Sequence, residues 1–407
     1  MRRYFAFAAL LVLLDASVHG EDWPQFRGPT GQGHSSERGL PLDWSESRNV
    51  MWKTPVPGRG WSSPVVAGGR VWLTTSVTAN GASLRALAYD VLSGREALNV
   101  EVFRLRNADL LNAKNSHASP TPVVDGDRVF VHFGTEGTAA LSTSGEIIWK
   151  TRLPYQSQHG NGGSPMLYGD LLIVSCDGSD QAYLVALDKR TGKVRWKTWR
   201  RQPWDQAYTT PLLIRVGDQE QVVSVGAYRA GAYDPQTGKE IWRVSYADGF
   251  SNVPRPVYGH GLVYIATGFQ QPTLLAVRPD GTGDVTNTHV AWTLRRAAPL
   301  TPSPLIVDEE IYIVNDGGIA SCLDAKTGEI HWQQRLGGEY SASPLFADGR
   351  IYFLNEEGVA TAIAPGRVFR RLATASLDGA TLASIAVSGG SMFIRTHTHL
   401  YRIARTS

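Results

Sequence analysis

Cysteine is scarce in this chain, which contains two, Cys176 and Cys322, in 407 residues. No cysteine follows the apolar stretch near the N-terminus, so there is no residue there that could carry a lipid anchor. The internal repeats described below place Cys176 and Cys322 in the third and sixth copies, which is too far apart for a disulfide. We therefore expect two free, buried thiols.

An excess of one charge is also missing. The 40 Lys and Arg residues nearly balance the 37 Asp and Glu residues, which leaves a net charge of +3. No run of Lys or Arg approaches a basic tract, so we expect no nucleic-acid partner. The glycines at 160–163 do not precede a helix, and no other Gly-rich phosphate motif is present.

Long apolar runs are absent except at the start of the chain. Arg2 and Arg3 precede an apolar stretch from Tyr4 to Leu14, and small residues follow before Glu21. This order predicts a signal peptide over residues 1–20 and export to the periplasm or the cell exterior. The alternative is an uncleaved membrane anchor, although the apolar stretch is short for a spanning helix. We expect no transmembrane span after cleavage.

Internal repetition dominates the rest of the sequence. The first copy, Ser63 to Trp72, reads as Ser-Pro, alternating apolar residues, a Gly turn and a second apolar run. Its proline recurs at positions 64, 120, 165, 211, 256, 304 and 344, with Ile385 in the eighth place. Steps of 40 to 56 residues are typical of propeller blades. The sequence predicts an all-β, eight-bladed β-propeller with four antiparallel strands per blade, over residues 45–407, after a leader segment at residues 21–44.

A second signature follows the first in most copies, and its most complete example runs from Ala186 to Trp196. Asp188 and Thr191 are expected to cap a tight turn with their side chains, and Gly192 to take the positive φ. The turn joins the third and fourth strands of a blade. Trp196, on the fourth strand, is expected to fill the gap between blades.

The two ends of the repeat region complement each other. The last copy, Leu382 to Ala404, has room for three strands, whereas Asn49 to Lys53 reads as an isolated strand that carries Trp52. Pairing this N-terminal strand into the last blade would close the ring and remove both free edges. We predict that closure.

These signatures resemble the tryptophan-docking repeats of the pyrroloquinoline-quinone (PQQ) type propeller family, over about residues 45 to 405. The leader Asp22–Gly28 is similar to the N-terminal pattern of quinoprotein dehydrogenases, and the overall size is closer to the propeller lipoprotein of the outer-membrane barrel-assembly machinery. Exported bacterial proteins with such repeats and no assigned function resemble it most. The first relative implies PQQ as a cofactor, and the second implies a protein partner in the envelope. The vicinal cysteine pair typical of the dehydrogenases is absent.

The repeats lose their symmetry two residues before the Ser/Thr of the first signature. The blades there offer aromatic side chains, and blade 5 replaces the Ser/Thr itself with an arginine. An aromatic wall with one cation at a channel mouth suits a planar or anionic ligand. The alternative is that these side chains fill the mouth and bond neighbouring blades. With the flanking loops, the predicted ligand-binding residues are Trp61, His117, His159, Asn161, Tyr208, Asn252, Arg255 and Tyr340.

Two functions remain open at this point. The first is a monomeric binding or scaffold module that meets an envelope protein, a small molecule or a polymer. The second is a divergent quinoprotein-like oxidoreductase that binds PQQ at the channel mouth. No catalytic residue and no metal-ligand set can be placed from the sequence. The insertion from Arg104 to Asn115 is expected to form a short helix or loop on the side where a ligand would arrive.

Overall fold

Short stretches of alternating apolar residues, each ended by a Gly or Asp turn, pair as antiparallel strands along the whole chain. The computed structural model describes residues 20–78, 81–105, 111–200, 205–247 and 249–406, and the predicted signal peptide therefore lies almost entirely outside the described residues. The strands form eight consecutive sheets arranged in a ring, which confirms the predicted eight-bladed β-propeller. The innermost strands of several neighbouring blades contact each other, including those of the first and last blades.

The strand bounds follow the repeats. The first half contains β1 Val50–Pro55, β2 Val65–Ala67, β3 Arg70–Thr78, β4 Ala82–Asp90, β5 Glu96–Leu105, β6 Val123–Asp125, β7 Arg128–His132, β8 Thr138–Ser142, β9 Ile147–Thr151, β10 Met166–Tyr168, β11 Leu171–Asp177, β12 Ala182–Asp188, β13 Val194–Trp199, β14 Leu212–Val216, β15 Gln219–Val225, β16 Arg229–Tyr233 and β17 Glu240–Ser245. The second half contains β18 Val257–Gly259, β19 Leu262–Thr267, β20 Thr273–Val277, β21 Gly283–Asp284, β22 Val290–Leu294, β23 Leu305–Val307, β24 Glu310–Val314, β25 Ile319–Asp324, β26 Ile330–Arg335, β27 Leu345–Ala347, β28 Arg350–Leu354, β29 Val359–Ala364, β30 Arg370–Ser376, β31 Ala386–Ser388, β32 Ser391–Arg395 and β33 His399–Ile403. A 3₁₀ turn spans Gly134–Glu136.

In five of the blades, a tryptophan on the outermost strand joins the blade to the next one: Trp52, Trp149, Trp196, Trp292 and Trp332. The Trp149 indole packs on the turn of the following blade, where a Cβ on Gly192 would come within 2.5 Å of the indole ring. The indole N–H donates to the Lys189 carbonyl at 3.0 Å. Asp188 Oδ1 holds that turn by accepting the Thr191 N–H at 3.0 Å. The second signature is therefore an inter-blade dock, as its residues predict.

The ring closes as predicted. Strand β1 pairs antiparallel with β33, and the last sheet has the order β1-β33-β32-β31. Trp52 of β1 then makes the dock to the first blade, because its indole N–H donates to the Val91 carbonyl at 3.1 Å. Blade 8 is thus assembled from both ends of the chain.

Blade 4 departs from four strands. Strand β21 lies in the long connection between β20 and β22, and it pairs parallel with β17 of the preceding blade. Trp242 of β17 is fully buried and donates its indole N–H to Gln221 Oε1 at 2.8 Å, in place of the dock to a following turn.

The leader crosses the end of the channel where the first two strands of each blade turn. Trp23 exchanges backbone hydrogen bonds of 2.7 and 2.9 Å with Val66 of β2, and Phe346 of β27 donates to the Gly33 carbonyl at 2.8 Å. The leader also reaches blades 2 and 5, because Pro24 accepts the Val124 N–H at 2.8 Å and Gln32 Oε1 accepts the Tyr258 N–H at 2.6 Å. With β2 in blade 1 and β27 in blade 7, these contacts place the leader across the ring as a floor of the channel. Cys176 and Cys322 are buried and free, as expected.

Candidate ligand-binding channel

A ring of hydroxyls lines the channel just before each innermost strand. The backbone N–H of Ser63 donates to Thr121 Oγ1 at 2.9 Å, and Thr121 N–H donates in turn to Ser164 Oγ of the next blade. The same bond recurs around the ring at 2.9 to 3.0 Å. The hydroxyl ring consists of Ser63, Thr121, Ser164, Thr210, Ser303, Ser343 and Ser384. The Ser/Thr of the first signature is thus a contact between blades.

The hydroxyl ring corrects the sequence alignment in blade 2. The innermost strand begins one residue after Pro64 and Pro165, but β6 begins at Val123, three residues after Pro120. Blade 2 has two consecutive Ser/Thr-Pro pairs, and Pro122 is the equivalent residue. His117 therefore does not belong to the aromatic column, where Ser119 stands instead.

Two residues before the hydroxyl ring, a second set of side chains surrounds the mouth of the channel. It comprises Trp61, Ser119, Gly162, Tyr208, Val253, Thr301, Ser341 and Leu382. Both sets line one cavity of about 550 Å³, open to solvent. This is a volume typical of small-molecule sites, which run from about 300 to 1,000 Å³.

The apolar side of the mouth extends outward through loop residues. Phe250 lies between Tyr228 and Phe269, with ring centroids 6.1 and 5.9 Å away. Phe269 is 63% exposed, so it presents an aromatic face to solvent. Phe250, Phe269 and Leu300 line the cavity together with Trp61 and Tyr208.

The predicted ligand-binding residues divide into three groups. Trp61, His159 and Tyr208 line the large cavity. His117 and Asn161 instead line a separate cavity of about 20 Å³, room for about one water molecule. The other three, Asn252, Arg255 and Tyr340, are buried beside the channel and do not line the described part of either cavity.

Asn252 and Tyr340 have structural contacts. The Asn252 amide donates to the Gly226 carbonyl at 2.7 Å and accepts the Gly268 N–H. Tyr340 is 1% exposed, and its backbone N–H donates to the Asp316 carbonyl at 3.0 Å. Burial raises the pKa of its phenol to about 12. Both residues therefore hold the loops around the mouth.

Arg255 interrupts the hydroxyl ring and turns below it. Its Nε and Nη2 donate to the Pro211 carbonyl at 3.1 and 2.8 Å, and its Nη1 donates to the Phe26 carbonyl at 2.7 Å. Phe26 belongs to the leader and lines the cavity from the floor side. Arg255 thus fixes the leader to blade 4. Burial, and then repulsion from the nearby Arg255, lower the pKa of Arg27 to about 9.

Charged groups stand at the rim, further from the floor. Lys114, in the connection between blades 1 and 2, reaches Glu339 at 2.6 Å and Glu356 at 3.1 Å, both near blade 7. Asp316 accepts the backbone N–H groups of Leu300 and Thr301 at 2.9 and 3.2 Å. The described part of the insertion therefore lies at the mouth, where it was expected; residues 106–110 lie outside the described residues.

The lining does not fit PQQ. This planar quinone carries three carboxylates, which need cationic or N–H donors around its edge. Among the described lining residues, Lys114 holds the fixed positive charge and is already paired with two glutamates, and Asp316 adds a negative charge. No group of three or more His, Cys, Asp or Glu side chains arranged to hold a metal ion occurs in the described ranges. No redox step follows from these residues.

Sequence reasoning missed the loop aromatics, the rim charges and the leader floor. The hydroxyl ring had a visible signal, since a Ser or Thr precedes the recurring proline in nearly every copy. Phe250 and Phe269 lie in connections of irregular length, where no period marks them.

Comparison with known proteins gives a consistent picture. The sequence model of the family described as outer membrane protein assembly factor BamB matches residues 106–292 and 276–398. An outer membrane protein assembly factor BamB from Francisella salina is 28% identical over 157 residues, which are 36% of this chain and 27% of that protein. The matched part of the chain thus spans about a quarter of that relative's length.

Solved structures show the same fold. BamB from Moraxella catarrhalis superposes with a TM-score of 0.63 at 13% identity, over 88% of this chain and 98% of that chain. A europium-containing methanol dehydrogenase superposes with a TM-score of 0.62 at 10% identity, over 92% of this chain and 89% of that chain. Among the described residues, no helix is long and apolar enough to cross a membrane.

Proposed function

The chain belongs to the family of outer membrane protein assembly factor BamB, and from this premise we propose that it is an exported binding module of the cell envelope. It takes an apolar group of a ligand or protein partner into the mouth of its channel. The observation that carries the proposal is the solvent-open cavity of about 550 Å³ at that mouth.

The character of the mouth supports binding. Monomeric proteins bury most large aromatic side chains, and a cluster left open to solvent usually marks an interaction site. Trp61, Tyr208, Phe250 and Phe269 line one side of the cavity. Aromatic rings supply large contact areas at a low entropy cost. The lack of a fit to PQQ favours binding over oxidation.

Two observations support the proposed location in the cell envelope. The first is the N-terminal order of two arginines, an apolar stretch and small residues before Glu21. The second is the relative from Francisella salina, which is named as an outer membrane protein assembly factor. We expect to recover the protein from the periplasmic fraction, and we expect mass spectrometry to show a new N-terminus near Glu21. A full-length chain that stays in the cytoplasm would refute export.

Binding at the mouth can be measured with a neutral, apolar fluorescent probe, N-phenyl-1-naphthylamine. We expect saturable fluorescence enhancement with the purified protein. Phe269→Ser should lower the affinity for the probe about fivefold, because one aromatic contact contributes about 1 kcal/mol.

The matched control is Val368→Ser. Val368 is 80% exposed and lies outside the cavity lining, so its substitution should leave probe affinity unchanged. Equal effects of the two substitutions would show non-specific adsorption and contradict the proposal.

A further inference from the structure

We propose that the hydroxyl ring binds one anionic group, so that the ligand of the channel is an amphipathic carboxylate with its apolar body at the aromatic wall. This inference rests on the proposed function, since it names the chemistry of the ligand that the channel takes. It follows from unused hydrogen-bond donors and from uncompensated positive charge.

The hydroxyl ring offers donors without acceptors. Each of its seven hydroxyls accepts a backbone N–H from the preceding blade, as in the bond from Ser303 to Ser343 Oγ at 3.0 Å. Within the described part of the chain, none of the seven donates a hydrogen bond to another group. All seven side chains are more than 90% buried and line the channel. Buried hydroxyl protons require acceptors, and a carboxylate offers about four acceptor positions.

Three buried arginines lie behind the hydroxyl ring, next to Ser303 and Ser63 and outside the cavity lining. Arg27, Arg255 and Arg395 are each 2% exposed or less. Their described hydrogen bonds go to carbonyls and to the Ser62 hydroxyl, and no described carboxylate forms an ion pair with any of the three. Arg27 Nε and Nη1 and Arg395 Nε have no hydrogen-bond partner in the described structure.

These arginines are still charged at neutral pH. Burial lowers the pKa of Arg255 to about 9 and that of Arg395 to about 10. A buried cation without a counter-ion is unfavourable, because it has lost its hydration. An anion in the ring would offset that cost for the three guanidiniums together.

The dimensions select an aromatic or similarly short body. Trp61 and Tyr208 each stand two residues before a ring hydroxyl, which is about 7 Å in an extended chain. This is close to the length of a benzoate ion. Asp316 at the rim carries a negative charge and accepts two backbone N–H groups there, which orients a carboxylate towards the ring and away from the mouth.

The test compares benzoate with benzyl alcohol, which is neutral and nearly the same size, by isothermal titration of the full-length purified protein at pH 7. We expect benzoate to bind at least tenfold more tightly, since hydrogen bonds to a charged group are the stronger ones. Equal affinity for the two ligands would refute the anion site but would still support ligand binding in the channel. Failure of both ligands to bind would overturn the channel as well.

Variants locate the preference. Arg27→Gln should remove most of the preference for benzoate and keep benzyl alcohol affinity. Arg367→Gln is the control, because Arg367 is exposed and pairs with Glu310 at 2.9 Å on the outer part of blade 6. Both variants keeping the full preference would refute the role of Arg27.

A measurement on the unaltered protein avoids any folding defect. In crystals grown with sodium bromide, anomalous scattering should show a bromide ion within hydrogen-bond distance of Ser303 or Ser343. Crystals with bromide elsewhere and none at the ring would overturn the inference.

Discussion

The ring is closed by β1, which comes from the opposite end of the chain to its partner β33. The contact of Trp52 with the first blade therefore offers a test of this closure. A Cβ on Gly94 would lie 2.6 Å from the Trp52 ring and 2.8 Å from Thr54 Oγ1, and Gly94 has a φ of +69°. Gly68, in the same blade, has φ +59° and would place its Cβ against nothing within 4 Å. Both Gly→Ala substitutions therefore share the backbone strain, but Gly94→Ala alone displaces the indole.

The magnitudes follow from these contacts. Alanine in the left-handed region costs about 1 kcal/mol, which is the whole effect expected at Gly68. At Gly94 the indole must also give up its hydrogen bond to Val91, worth about 1 kcal/mol, and part of its buried area, worth about 1–2 kcal/mol. We expect a loss of about 3–4 kcal/mol.

Urea unfolding followed by far-ultraviolet circular dichroism gives the two free energies of unfolding. A difference of about 2 kcal/mol or more between the variants supports the dock as the closure of the ring. Equal losses would refute the reasoning, because Gly94→Ala alone brings a Cβ against β1, at the Trp52 indole and Thr54 Oγ1.

Three further predictions concern the ring and its interior. Deleting residues 45–56 removes β1, so the melting temperature should fall sharply, and an unchanged value would rule out closure by this strand. His132 is fully buried, and burial lowers its pKa to about 3. Because the unfolded chain binds this proton below about pH 6.5, the stability due to neutral His132 is lost as the pH falls from 6.5 towards 3. His132→Gln should therefore lose less stability than the wild type between pH 7 and pH 4, by up to about 3 kcal/mol; parallel curves for the two proteins would contradict the assignment. Ser343→Ala leaves the Ser303 N–H without its acceptor and should cost about 1–3 kcal/mol, while Ser343→Thr keeps the bond; similar losses in both variants would argue against the hydroxyl ring as a contact between blades.

The fold could be predicted because its packing repeats. Each blade needs a turn such as Asp188 to Gly192 and a docking residue such as Trp196, so the same letters return at a steady spacing. The closure by β1 was predictable for the same reason, since a fourth strand was missing at one end and present at the other.

The site was only partly predictable, because it is built where the repeats stop being regular. Trp61 and Tyr208 line the cavity as their column suggested. The tandem Ser-Pro and Thr-Pro pairs of blade 2 shifted the alignment by two residues and brought His117 into the wrong column. Arg255 looked like a free cation in the sequence, but its guanidinium bonds to carbonyls of blade 4 and the leader.

The packing of the leader across the channel could not be predicted from the sequence. It has no repeat and little regular structure, yet Arg27 is 2% exposed and donates to the Pro304 carbonyl at 2.7 Å. Its position depends on partners about 280 residues away in the chain, which local sequence patterns do not encode.

The shared blade 8 also sets the order in which the molecule can be completed. Strand β1 is synthesised near the start, but its partner β33 ends at Ile403. Contacts between such distant segments form late and slow folding. Until β33 is available, the strand of Trp52 has no partner in blade 8, and the other seven blades present two unpaired flanks. During folding this open ring would be the species most exposed to aggregation and proteolysis.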